Sequence, residues 1–126
     1  MIPKFIERLH RDLPPLIYGD GGQSRDFVFV QDVVQANIKA CGQEGIAGEV
    51  FNVASGRSYT LLQLFDHLKG IIKSAQAPQF APVRPGDIRH SRASIRKAGK
   101  ILGFRPEFGL RQGLKTTVEY MQRQRA

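Results

Sequence analysis

The sequence predicts a small α/β fold of a few short, partly parallel strands and about five helices, forming a single domain over residues 1–126. Two observations predict it. Short apolar runs of strand type alternate with longer stretches at helical spacing, the pattern of α/β proteins with parallel pairing. The 126 residues, 41% apolar and 24% charged, suffice for one real core. They are too few for a complete dinucleotide-binding domain plus a substrate domain. Three or so strands make a small sheet, and such a sheet normally has both faces covered; the helices of this chain look too few to do that alone.

Taken in order, Ile2, Phe5, Ile6 and Leu9 recur at helical spacing, with Pro3 suited to a first turn. Pro14-Pro15 ends that helix. Leu16-Ile17-Tyr18 reads as a short strand, Gly19-Asp20-Gly21-Gly22 as a turn, and Asp26–Val30 as a second strand. Asp32 is the expected cap of a helix through Val33, Val34, Ala36, Asn37 and Ala40. Gly42 to Gly48 reads as a loop, with Gly42 as helix stop, and Val50–Ala54 as a strand. Thr60 and Gln63 have capping-box spacing ahead of Leu61, Leu62, Leu64, Phe65 and Leu68. Phe80–Val83 reads as a short extended piece. Ser94 is the expected cap of a helix to Leu102 that stops at Gly103, and a last helix begins near Leu110 with Leu114, Val118 and Met121 on one face.

The net charge of +8 is unevenly spread: residues 1–83 carry eight basic and eight acidic residues, whereas residues 84–126 carry eleven basic against Asp87, Glu107 and Glu119. A basic third attracts polyanions, nucleic acid among them. The aromatics there, Phe104, Phe108 and Tyr120, lack the spacing of a stacking platform, which weighs against nucleic acid and leaves a solvated surface. No run of about 18 apolar residues occurs, so no membrane span is expected. The N-terminus has no signal-peptide core. The single cysteine, Cys41, excludes an internal disulfide and reads as an inert thiol in a cytoplasmic protein.

Several apparent motifs fail on physical grounds. Gly42, Gly45 and Gly48 spell G-x-x-G-x-x-G, but they follow a helix, whereas a dinucleotide fingerprint must follow a strand and open a helix. Gly19–Gly22 lacks the Lys-Ser/Thr of a phosphate loop. His10, His67 and His90 show no metal-ligand spacing. No tyrosine has a lysine four residues on. Arg25-Asp26 and Arg84-Pro85-Gly86-Asp87 are more informative. Arginine suits bidentate contact with phosphate, and a neighbouring carboxylate suits a pair of sugar hydroxyls. Taken alone, the second cluster reads first as a local salt bridge.

The order of these pieces resembles one family. Ile2–Ile6, Leu16–Gly21, Ser24–Val34, Phe51–Gly56 and Arg84–Ser91, then Lys97-Ala98, Leu102-Gly103, Pro106 and Leu110–Leu114, together resemble the C-terminal, substrate-binding portion of the NAD-dependent nucleotide-sugar epimerases and dehydratases. These are the extended short-chain dehydrogenases typified by UDP-glucose 4-epimerase. The resemblance spans essentially the whole chain. The family's Rossmann half, with its glycine fingerprint and Tyr-x-x-x-Lys, has no counterpart here, so the resemblance assigns no catalytic residue, no metal ligand and no NAD site to this chain. NAD belongs to the intact family.

The resemblance implies a nucleotide-diphosphate-sugar site. Leu16 and Tyr18 match positions that pack on the base. Arg25 and Arg84 match arginines that hold the diphosphate. Asp87 matches the carboxylate that accepts from the ribose hydroxyls, and Ile2 and Pro3 match a segment beside the nucleotide. Ser94 stands where the family often has aspartate. Binding by this chain alone is expected to be weak and turnover absent. Removing a Rossmann half would also bare an apolar face, so association with a second copy or with such a half is expected. A free-standing interaction module and a basic nucleic-acid-binding protein are the alternative readings.

Overall fold

The computed structural model describes residues 1–124. Helix α1 (Ile2–His10) has Met1 as its N-cap and Pro3 in its first turn, where a missing N–H costs nothing. Its buried face, Phe5, Ile6 and Leu9, packs inward. After the two prolines the chain enters β1 (Leu16–Tyr18), whose central Ile17 is fully buried. β1 pairs in parallel with β4 (Gln79–Ala81), Leu16 opposite Gln79 and Tyr18 opposite Ala81. A second pair, β2 (Ser24–Arg25) and β3 (Tyr59–Thr60), is antiparallel.

Helix α3 (Leu61–Ile72) follows β3 directly. Thr60 and Gln63 form the expected capping box, with the Gln63 N–H donating to Thr60 Oγ1 at 3.1 Å and the Thr60 N–H to Gln63 Oε1 at 2.9 Å. Leu64 and Leu68 of α3 are fully buried against α1, β1 and α5 (Leu110–Arg123), which adds Leu114 and Val118. A second cluster joins α2 (Val30–Gly42) to α4 (Arg96–Leu102) through Ala36, Ala98, Leu102 and Phe104. Two alanines in that contact let the two backbones approach closely. Among the described residues there are five helices and two two-stranded sheets, one of them parallel, in the predicted α/β class. Among the described residues no helix is long and apolar enough to cross a membrane.

Four local expectations are corrected. The strand expected at Asp26–Val30 is not formed: pairing stops at Arg25, and α2 begins at Val30 with Phe29 as N-cap. In place of a ladder, the Asp26 carboxylate accepts from Ser55 N–H (2.8 Å), Ser55 Oγ (2.6 Å) and Gly56 N–H (2.9 Å). Asp32 does not cap α2. It lies buried inside the first turn and accepts from the backbone N–H groups of Glu107 (2.8 Å) and Phe108 (3.3 Å), fixing the approach to α5. Val50–Ala54 joins no sheet, because no strand of the described residues lies beside it to complete a ladder. Ser94 does not cap α4, which starts at Arg96 behind Ile95; Gly103 does end it, at φ +63°.

Candidate functional site

A groove of about 600 Å³ opens beside β1. Its floor follows from strand alternation. Ile17 points into the core, so its neighbours Leu16 and Tyr18 face the other way and line the groove. One wall is a face of α1, where Arg8 lies one helical turn beyond Lys4 and Phe5. The Arg8 Nε–H donates to the Pro14 carbonyl at 2.6 Å, which fixes its guanidinium. Leu61, Gln23 and Arg25 also line it, with the loop Arg84–Asp87 as its rim.

That rim is a tight turn. The Asp87 N–H donates to the Arg84 carbonyl at 3.2 Å, and Gly86 takes φ +80°, a conformation that glycine adopts without strain. Pro85 and Gly86 are the residues such a turn requires at its centre. The Arg84 guanidinium carbon stands 3.7 Å from the centroid of the Tyr18 ring, stacked on it. Its N–H edges donate to no protein acceptor among the described residues, so they are open to an incoming anion.

Arg25 is held differently. Its Nη1 donates to the carbonyls of Ser24 (2.8 Å) and Arg89 (3.4 Å), and its Nη2 to Asp87 Oδ1 at 2.9 Å. The local salt bridge that the sequence suggests between Arg84 and Asp87 is thus replaced by one from Asp87 to Arg25, 62 residues away. The rim loop is anchored further along. Ser24 exchanges backbone bonds with Arg89 and Ser91 (2.9 and 3.0 Å), and its Oγ lies 2.9 Å from His90 Nδ1. Arg89 grips Asp20 through both nitrogens, at 2.7 and 2.9 Å. The Arg89 bond, with the Gly22 N–H behind it, lowers the Asp20 carboxyl to about 2, and Asp20 raises Arg89 in turn.

Five of the seven positions matched to a nucleotide site therefore meet in one groove: Leu16, Tyr18, Arg25, Arg84 and Asp87. Ile2 and Pro3 lie on α1 but not in the lining; Ile2 packs against the first core cluster and Pro3 is exposed. Sequence reasoning missed Met1, Lys4, Phe5, Arg8, Gln23 and Leu61. The four-residue spacing of Lys4 and Arg8 on one face of α1 was the available signal for two of them. Gln23 carried none: it is buried, its Nε2 donates to the Tyr18 carbonyl at 2.6 Å, and its Oε1 has no partner.

The lining carries four cations, Lys4, Arg8, Arg25 and Arg84, against one carboxylate, Asp87. Together with the apolar floor this suits a ligand with a flat ring and an anionic group. Gly42, Gly45 and Gly48 do not fit a dinucleotide. They lie at the exposed end of α2 and beyond it, with open space around each, so no cradle for a pyrophosphate exists there. No group of three or more His, Cys, Asp or Glu among the described residues is placed to hold a metal ion.

Comparison with known proteins finds relatives along nearly the whole chain. Residues 1–54 match the NAD dependent epimerase/dehydratase family. The chain is 37% identical over 118 residues to a UDP-glucose 4-epimerase of Mycolicibacterium smegmatis, covering 94% of this chain and 37% of that protein. It is 34% identical over 122 residues to a putative UDP-glucose 4-epimerase of Methanocaldococcus jannaschii, covering 97% and 39%. The crystal structure of the Thermotoga maritima UDP-glucose 4-epimerase with UDP-glucose superposes with a TM-score of 0.93 at 41% identity, covering 99% of this chain and 40% of that one. The Bacillus cereus UDP-glucuronic acid 4-epimerase, solved with UDP-glucuronic acid and NAD, superposes at 0.92 with 27% identity, over 98% of this chain and 40% of that one. The chain thus spans about two fifths of the length of these relatives.

Proposed function

We propose that this chain belongs to the NAD dependent epimerase/dehydratase family, whose model matches residues 1–54 and whose relatives match nearly the whole chain, and that its groove binds the nucleotide end of a nucleotide-diphosphate sugar. Leu16 and Tyr18 pack on the base, Arg84 and Arg25 hold the diphosphate, and Asp87 accepts from the ribose hydroxyls. Ile2 and Pro3 flank the nucleotide on the first turn of α1. The observation that carries this reading is Arg84, stacked 3.7 Å above Tyr18 with its donor edges open, in a groove of four cations. Crystallised relatives hold UDP-glucose and UDP-glucuronic acid, which supports a uridine nucleotide here.

The whole reaction in this reading is an NAD-dependent rearrangement of the sugar. This chain contributes substrate binding and positioning as one domain in the cytoplasm. It turns over nothing alone, because it carries neither a glycine cradle nor a tyrosine with its lysine. Val30, Val34 and Ile38 form an exposed stripe on α2 (63%, 48% and 59% exposed). That face supports association with a cofactor-bearing half or a second copy. Titration calorimetry with UDP tests the site. A dissociation constant on the order of 0.1 mM or weaker is expected, weakened about tenfold further in Arg84→Ala. Micromolar binding indifferent to Arg84→Ala overturns the reading, as does conversion of UDP-glucose to UDP-galactose by this chain with added NAD.

A further inference from the structure

Asp87 stands apart in this groove by its charge. An anion site gains nothing from a carboxylate, and Asp87 is the one acid in a lining that holds four cations. It also occupies one of the groove's own arginines, through Arg25 Nη2 at 2.9 Å. Arg25 does not need Asp87 to stay in place. Its other terminal nitrogen is fixed by the carbonyls of Ser24 and Arg89. Arg84, by contrast, has no protein acceptor among the described residues and is ready for an anion. The two arginines are therefore in different states, one open and one latched.

We infer that the Arg25–Asp87 ion pair is a selection latch, which disfavours bare phosphate anions and yields to a diphosphate that carries a ribose. This rests on the reading that the groove binds a nucleotide diphosphate. An anion reaching Arg25 Nη2 meets Asp87 Oδ1 beside it and is repelled by that carboxylate until the pair opens. A free pyrophosphate has nothing to offer Asp87 in return. A nucleotide diphosphate brings vicinal hydroxyls, whose O–H groups satisfy the released carboxylate. The pair is suited to such an exchange. It is a single contact rather than a bidentate one, both partners are partly exposed (26% and 36%), and Asp87 sits on a short turn at the rim.

The test is calorimetry of this chain with two probes, inorganic pyrophosphate and UDP, for wild type, Asp87→Asn and Asp87→Ala. Loss of one nearby like charge is expected to tighten pyrophosphate about three- to tenfold in both variants, by an amount that shrinks as salt rises. UDP is expected to gain nothing or to weaken, so that the ratio of the two affinities shifts by about tenfold or more. Equal shifts for both probes overturn the latch, as does weaker pyrophosphate binding in both variants, which would make Asp87 an organiser of Arg25 instead. A wild-type groove that binds neither probe at millimolar concentration overturns the underlying nucleotide reading and the latch with it.

Discussion

The Arg84 guanidinium carbon lies over the Tyr18 ring, 3.7 Å from its centroid, so the ring orients an arginine whose donor edges remain open. An aromatic face beneath a guanidinium contributes about 0.5–2 kcal/mol and restricts a long side chain before any ligand arrives. Tyr18→Leu is therefore expected to weaken UDP binding about three- to tenfold. Tyr18→Phe, which keeps the ring, should leave it within about twofold. Calorimetry on both variants checks this, and equal losses in the two would refute the role of the ring.

Asp20 and Arg89 give a pH prediction. The Asp20 carboxyl titrates at about 2 in the folded protein, below its usual value, because Arg89 and the Gly22 N–H favour the carboxylate. A depressed carboxyl contributes stability above its unfolded value, about 4. That contribution fades as pH falls from there toward 2. Carbon-13 titration of the Asp20 carboxyl should show the low midpoint, and Arg89→Ala should return it toward about 4. A wild-type midpoint already near 4 would disprove the coupling.

Asp32 is a buried hub. Replacing it with alanine strands the Glu107 and Phe108 N–H groups that it now accepts. We expect a loss of about 2–3 kcal/mol on denaturant unfolding, with a smaller loss in Asp32→Asn, which retains an acceptor oxygen. Unchanged stability in Asp32→Ala would mean that water replaces the carboxylate.

Core and cap substitutions should differ in size. Leu64 is fully buried, so Leu64→Ala is expected to cost about 2–5 kcal/mol. Thr60→Ala removes one half of the capping box at the start of α3 and should cost about 1 kcal/mol. Urea titrations that ranked the two in the opposite order would contradict the placement of α3 in the core.

The α2 stripe predicts self-association in the absence of a covering partner. Light scattering at rising concentration should show more than a monomer. Val34→Glu, at the middle of the stripe, should lower the apparent mass without unfolding the chain, since Val34 is exposed. A concentration-independent monomer would argue against this face as a contact.

What the sequence determined by itself was local. Ile2 to Leu9 at helical spacing, Thr60 with Gln63, and Leu16 and Tyr18 on either side of Ile17 all act over a few residues, where backbone geometry and short-range hydrogen bonds decide. Those elements, and the order of arginines and aspartates on them, were legible. What the tertiary structure decided was pairing across long stretches of chain. The apolar run Asp26–Val30 has strand character, yet a strand exists only where another offers its N–H and C=O groups, and pairing stops at Arg25. Asp32 has the character of a cap, but burial required it to find donors, and those were 75 and 76 residues away. The same holds at the groove: one arginine lies open on a ring and the other is held by a carboxylate, because charges choose partners by distance in space and not along the chain.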